Sequence, residues 1–575
     1  MLDIRLTRLL RHSTIIPASA LRKTAAQAEK EHTLLGPLLV KSGLVSEEAL
    51  YRELARLVNL PFIDLTSKVV RKDVLFLIPE PIAASHSVIP FDQTDKEVLI
   101  ATTDPEDLQT FEFIRRRAGL PVKVHLTTPA GIATVLKSYR RSLTAEFEEL
   151  TTGAAKGKPA EEKDLKQLAE DIPIVRIVDS LLEHATYENA SDIHIEPAEE
   201  ALAIRYRIDG VLRQVMTLPK AAQDGVLARI KILANLKLDE HRLPQDGRFK
   251  VQSPDYRYSI RVSILPVYDG EKVVMRLLAE SAKALTLEEL GLLNSPRELV
   301  ERAVTRPHGI IYATGPTGSG KTTTLYSLLG ILNKPGVNIV TVEDPIEYRM
   351  AGVNQSQVAP RIGYTFANGL RSILRQDPNI IMVGEIRDNE TADIAANSAL
   401  TGHLVLSTLH TNDAPSAITR LDDLGVAPFL VAFTTNLIIA QRLVRKVCKD
   451  CSTNYKITAA ELEELDRRVG GSAELFRDLV RAKELSASAR LNSLMLARGV
   501  GCSKCNQEGY RGRIGIYEIL EVTPALAALI AKRAGVDELK RQAHADGMLT
   551  MFHDGVVKAA RGLTSLAEVF RVTKD

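Results

Sequence analysis

Gly315-Pro316-Thr317-Gly318-Ser319-Gly320-Lys321-Thr322 sets four residues between its outer glycines and then supplies Lys and Thr. That is the spacing of a phosphate-binding loop. Glycines let backbone N–H groups turn inward where a Cβ would clash, and a helix starting at the loop's end adds positive potential. Lys321 is placed to reach the β- and γ-phosphates and Thr322 to hold Mg²⁺, with Thr323 beside them. The flanks agree: 309–314 reads as a short buried strand and 322–332 as a helix. The expected ligand is a nucleoside triphosphate with Mg²⁺. What its energy drives must be read elsewhere.

Three more apolar runs end in polar residues. Residues 337–342 lead into Glu343, 379–383 into Gly384-Glu385, and 403–409 into His410. An apolar strand ending in a carboxylate is the Walker B arrangement, in which the acid orients the metal's water shell. Here that acid is Glu385 rather than an Asp. Glu343 is the better candidate to polarise the attacking water, and His410 is suited to sense the γ-phosphate by hydrogen bond. Singly, each reads equally well as a helix cap or a surface charge. Together, at successive strand ends beside a phosphate loop, they read as one site.

The four cysteines fall in two C-x-x-C pairs, Cys448/Cys451 and Cys502/Cys505. Two such pairs in a chain with no other cysteine suggest a four-thiolate Zn²⁺ site, with redox pairs or free thiols as the alternatives. The 50 residues between the pairs exceed what a compact zinc ribbon uses. Within them, 459–465 and 473–485 have helical patterning.

The elements that must position these residues divide the chain of 575 residues into about three or four domains. Residues 1–145 read as an N-terminal α/β domain, with helix-period leucines over 34–57, a strand at 97–102 and a capped helix at 104–118. Residues 146–170 have a linker composition. Residues 171–284 read as a small α+β sheet domain: a helix at 174–187, then period-two strands at 192–196, 202–208, 258–264 and 272–278. On that pattern Arg261 and Arg276 lie on a solvated sheet face. Residues 285–575 alternate strands with helices at 322–332, 366–375, 390–400, 414–424 and 428–445, which predicts a parallel sheet with helices on both faces. The zinc module spans about 446–507 of this part.

Bulk composition is that of an ordinary globular protein, 45% hydrophobic and 25% charged, with net charge +2. Nothing in it indicates a nucleic-acid partner. No apolar run reaches the roughly 18 residues of a spanning helix. The strongest candidate, 426–440, reads as a buried helix. The first eleven residues are charged throughout and lack a signal peptide's apolar core. They fit either a short basic amphipathic helix or a solvated end. The expected location is cytoplasmic, with membrane attachment only through partners.

With these residues in view, the chain resembles the secretion ATPases of type II secretion and type IV pilus assembly. The resemblance rests on the loop at 315–324, Val340-Thr341-Val342-Glu343-Asp344-Pro345-Ile346-Glu347, Gly384-Glu385-Ile386-Arg387-Asp388, and 401–412. These look like the family's Walker A, Asp, Walker B and His boxes. Ser191-Asp192-Ile193-His194-Ile195-Glu196-Pro197, 244–248 and 510–518 extend it over about 170–570. The resemblance implies a RecA-like C-terminal ATPase domain and a homohexamer at the inner face of the cell membrane. It also implies partners among the inner-membrane platform and docking proteins of the machine. It assigns Arg261 and Arg276 to the nucleotide's phosphates, in place of the solvated-face reading. Some relatives bind cyclic di-GMP through N-terminal Arg-Leu-Gly and Gln positions. Here Leu34 and Leu57 stand at those places, so that ligand is not expected.

The preferred reading is an ATP-driven assembly motor. A RecA-like nucleic-acid translocase, a pilus retraction motor and a non-catalytic ATP-binding scaffold are the rivals. The long N-terminal region and the cysteine module favour assembly or secretion over retraction. Between those two, 412–415 and 424–428 lean toward pilus assembly, while 341–348 leans toward secretion.

Overall fold

A computed structural model describes residues 6, 10, 13, 15–31, 35–66, 68, 70–75, 77–78, 80–136, 172–252, 257–279, 284–469, 472–481, 494–502, 505 and 507–573. The predicted linker, 146–170, and most of the N-terminal basic stretch lie outside them. The chain forms two compact units. One comprises Met1–Leu278, Cys448–Cys451 and Gly499–Gly509; the other comprises Ala279–Val447, Ser452–Arg498 and Tyr510–Asp575.

The first unit opens with the helices Ala18–Glu31, Leu35–Lys41 and Glu47–Leu57. The helix-period leucines expected over 34–57 are split, among the described residues, between two helices and the turn that joins them. Gly43, at φ +70°, breaks the run, and Ser46 restarts it by accepting the Ala49 N–H. Strands β1 (Val88–Gln93), β2 (Val98–Thr102) and β3 (Val122–Leu126) form a small sheet in that order. β2 and β3 are parallel, joined by the helix Leu108–Ala118. Asp107 caps that helix at its start, and left-handed Gly119 ends it.

The helix Ile172–Tyr187 leads into a second sheet. Its strands are β4 (Asp192–Pro197), β5 (Ala201–Ile208), β6 (Val211–Pro219), β7 (Gln245–Gln252), β8 (Arg257–Val267) and β9 (Gly270–Ala279), in the order β6-β5-β4-β9-β8-β7. The predicted period-two pattern is present: Leu202, Ile204, Tyr206 and Ile208 face the core, while their neighbours along β5 are only half-buried. Residues of Ile172–Tyr187 and of the helix Gln223–Leu233 complete that core.

The second unit is built on β10 (Gly309–Thr314), β11 (Ile339–Glu343), β12 (Asn354–Gln357), β13 (Ile380–Val383), β14 (Leu404–Leu409) and β15 (Thr435–Val447). β16 (Ser452–Lys456) and β17 (Met495–Gly499) make a separate two-stranded sheet, and β18 (Tyr510–Glu521) returns to the large one. The large sheet runs β12-β11-β13-β14-β10-β15-β18. Every pair in it is parallel except β15 with β18. The expected parallel sheet is present, with β18 added antiparallel at its edge, and the expected helix over 428–445 is corrected. That helix spans only Pro428–Thr434 and passes directly into β15. β15 is buried on both faces from Thr435 to Gln441, so no alternation marks it, and no Gly or Pro separates it from the helix.

The 50-residue segment between the cysteine pairs has a structural role in this unit. Its helices Ala459–Val469 and Ser472–Arg481 lie close to the expected 459–465 and 473–485, with 482–485 outside the described residues. Leu465, Leu475 and Leu479 pack with Val556, Val557 and Leu566 of the C-terminal helices Met551–Ala560 and Leu566–Val572.

Candidate functional site: a phosphate loop and the strand ends beside it

Parallel strands put their C-terminal ends on one edge of the sheet, where ligands of such folds gather. Four neighbouring strands deliver Glu343 (β11), Glu385 (after β13), His410 (after β14) and the loop Gly315–Lys321 (after β10) to that edge. Gly315, Gly318 and Gly320 all have positive φ, +146°, +79° and +91°. The space where Gly318 would carry a Cβ is open within 4 Å. A turn of this shape needs glycine and leaves room for an anion, so the loop fits a nucleotide's phosphates. The helix Lys321–Leu332 starts at its end.

Lys321 Nζ donates to the Gly315 carbonyl at 2.8 Å and the Pro316 carbonyl at 3.2 Å. Burial pushes its pKa down, against the pull of Glu385. Glu385 Oε2 accepts from Arg387 Nε at 2.6 Å and lies 3.5 Å from His410 Nε2. The His410 pKa is lowered, first by burial and then by the Lys321 charge. Lys321, Glu385 and His410 therefore form one electrostatic group. Thr322 and Thr323 are half-buried in the first helical turn.

Glu343 ends β11, 2% exposed, with both carboxylate oxygens occupied. The Tyr326 hydroxyl donates to Oε2; Thr341 Oγ1 (2.6 Å) and Gln355 Nε2 (3.2 Å) donate to Oε1. Burial raises its pKa, and these donors oppose the rise. These three donors leave one of the carboxylate's roughly four acceptor positions, on Oε2, to meet a water.

Arg261 and Arg276 lie in the other unit, exposed on β8 and β9. Arg276 Nε donates to Asp192 Oδ1 at 2.9 Å. Arg261 stands opposite Arg248 of β7.

Two supports had no role in the sequence reading. Thr411 N–H and hydroxyl both meet Thr314 Oγ1, at 2.9 and 2.8 Å, tying the end of β10 to the turn after β14. Glu518 on β18 accepts the Ala414 N–H at 2.8 Å from beneath that turn, and burial pushes its pKa up to about 7. Glu518 lies in the 510–518 motif, but its partner is set by a strand pairing the sequence does not display.

The four cysteine sulfurs lie within 4.8 Å of one another. Cys448–Cys502 and Cys451–Cys505 are 3.8 Å apart and Cys502–Cys505 3.6 Å. Thiolates about 2.3 Å from a tetrahedral Zn²⁺ stand about 3.8 Å apart, so the set fits zinc. Backbone N–H groups of Cys502 and Gly509 donate to Cys505 Sγ, each at 3.2 Å, which suits a thiolate.

Residues 167–571 match the model of the family described as Type II/IV secretion system protein, and 58–146 match the MshEN domain. The chain is 38% identical to the type IV pilus assembly ATPase PilB of Myxococcus xanthus, covering 98% of each chain. It is 40% identical to the type II secretion system protein E of Xanthomonas campestris, covering 99% of this chain and 98% of that one. The solved structure of the Yersinia pseudotuberculosis ATPase DotB superposes with a TM-score of 0.50 at 23% identity, over 69% of this chain and 93% of that one, a likeness of fold. On the extent of these matches, the chain belongs to the type II/IV secretion system protein family and is a secretion-type ATP hydrolase.

Proposed function

We propose that the chain is the homohexameric motor of type IV pilus assembly, working at the cytoplasmic face of the membrane through inner-membrane platform and docking proteins. The observation that carries this reading is end-to-end similarity to a pilus assembly ATPase, together with Lys321, Glu385 and His410 held in one group. Bound Mg²⁺·ATP would supply the phosphoanhydride and the cation. Backbone N–H groups of 317–320 and Lys321 would bind its phosphates, while Thr322 and Glu385 would hold the metal and its water shell. Glu343 orients the attacking water, and His410 reports on the γ-phosphate. Arg261 and Arg276 add charge to the phosphates as hydrolysis proceeds. Cys448, Cys451, Cys502 and Cys505 hold a structural Zn²⁺. The N-terminal region docks to a protein partner, without cyclic di-GMP at Leu34–Leu57; calorimetric binding of that dinucleotide there would overturn this part.

A second reading, type II secretion, is favoured by the equally extensive match to a secretion protein. Deleting the gene separates the two. Loss of surface pili supports assembly, and loss of secreted enzymes with pili intact supports secretion. The motor reading itself is tested by turnover against protein concentration, with oligomeric mass and zinc content recorded on the same sample. Activity should rise as the hexamer forms. DNA-stimulated turnover at physiological salt would point to a translocase instead.

A further inference from the structure

Gln441 is 1% exposed on β15, and strand register explains its place. β10 ends at Thr314, which pairs with Ala440. The next residue of β15 therefore lies beneath the point where the chain leaves the sheet as the phosphate loop. Gln441 Nε2 donates to the Ser319 carbonyl at 2.8 Å, and its Oε1 accepts the Thr324 hydroxyl at 2.8 Å. Its backbone oxygen is 2.5 Å from where a Cβ on Gly315 would stand, and its Nε2 is 3.2 Å from where one on Gly320 would stand. One residue thus abuts both outer glycines and bridges the loop to the helix behind it. Tyr517 of β18 pairs with it from the other side and is equally buried.

The direction of the bond to Ser319 matters. In a planar trans peptide, C=O and N–H point opposite ways. Holding the Ser319 carbonyl against Gln441 aims the Gly320 N–H away from β15, toward the face from which a phosphate enters. We propose that Gln441 is a positioning residue for nucleotide binding: its amide presets the Ser319–Gly320 peptide and locks the first helical turn through Thr324, so that the loop's donors face the phosphates before the nucleotide arrives. A buried amide satisfied at both ends is inexpensive to keep, and the loss of either partner leaves the other unsatisfied. The inference rests on the ATPase reading of the loop.

The test uses the full-length protein, with ATP turnover, equilibrium ATP binding and thermal melting measured on each variant. Wild type and Lys321→Ala come first. An inactive wild type, or an unimpaired Lys321→Ala, would sink the ATPase reading itself. With that reading intact, Gln441→Met should raise KM and the ATP dissociation constant by about tenfold, with kcat changed far less. Gln441→Glu adds a signature that mere packing does not give. As a neutral acid, its O–H can donate to the Ser319 carbonyl; as a carboxylate, it repels that oxygen and the phosphates. Its affinity relative to wild type should therefore recover as the pH falls from about 8 to about 5.5. This arm also carries the test if Gln441→Met fails to fold. Variants that melt earlier yet bind ATP as wild type does, or a Gln441→Glu defect independent of pH, would make Gln441 a packing residue and overturn the proposal.

Discussion

Glu385 stands 3.5 Å from His410 and within the electrostatic reach of Lys321, so a change in its charge is felt by both. Glu385→Gln should keep ATP binding and lower kcat about a hundredfold or more; a filter-binding assay beside steady-state turnover separates the two effects. Glu518 gives a pH signature. Its folded pKa, about 7, lies above the ordinary 4.5, so the fold favours the protonated form. The stability this contributes is fully present below about pH 4.5 and is lost as the pH rises through 7. Glu518→Gln keeps an acceptor for the Ala414 N–H and should flatten the melting temperature across that window. Loop, carboxylates and His410 were legible in the sequence because their chemistry is local. The occupation of Glu343 by Tyr326, Thr341 and Gln355 was not, because those donors come from three elements. A role for Arg261 and Arg276 is suggested only by resemblance; their alternation matches any solvated strand face.

Among elements, the helix Ile172–Tyr187 and the Glu188 that follows it are held to the small N-terminal sheet by buried and partly buried polar contacts within the first unit. His86 bonds Asp107 Oδ2 at 2.6 Å through Nδ1 and Glu188 Oε1 at 3.3 Å through Nε2, and Tyr187 bonds Thr110 at 2.7 Å. Burial disfavours the imidazolium, but the two carboxylates outweigh it and raise the His86 pKa to about 9. A raised histidine stabilises fully below its ordinary 6.5, and that support fades as the pH climbs through 9. His86→Gln should lower the melting temperature at pH 6 more than at pH 9.5, read by calorimetry (both pH values are about those at which the ring is charged and neutral). Most helices and strands were readable from caps and periodicity. β15 was not: its apolar run continues the preceding helix without a break, and burial on both faces erases the alternation that marks a half-buried strand.

For the whole molecule, the division into two units separates the phosphate loop from Arg261 and Arg276. If those arginines act in turnover, Arg276→Ala should leave oligomeric mass and ATP binding unchanged while kcat falls by about a hundredfold or more. Unchanged kcat would remove it from the site. Zinc belongs to this scale as well. Purified protein should carry one zinc per chain by elemental analysis. Chelation or Cys505→Ser should release it and lower the melting temperature.

The boundary between the units is crossed five times by the backbone, at 278/279, 447/448, 451/452, 498/499 and 509/510. Each cysteine pair is a short excursion from the second unit into the first. A metal on all four thiolates therefore changes the topology of the chain. The polypeptide between Cys451 and Cys502 becomes a closed ring, and a single nick inside it would leave two fragments still joined through the metal. The cluster is in that sense a removable crosslink, and metal supply decides whether the chain behaves as a line or as a loop.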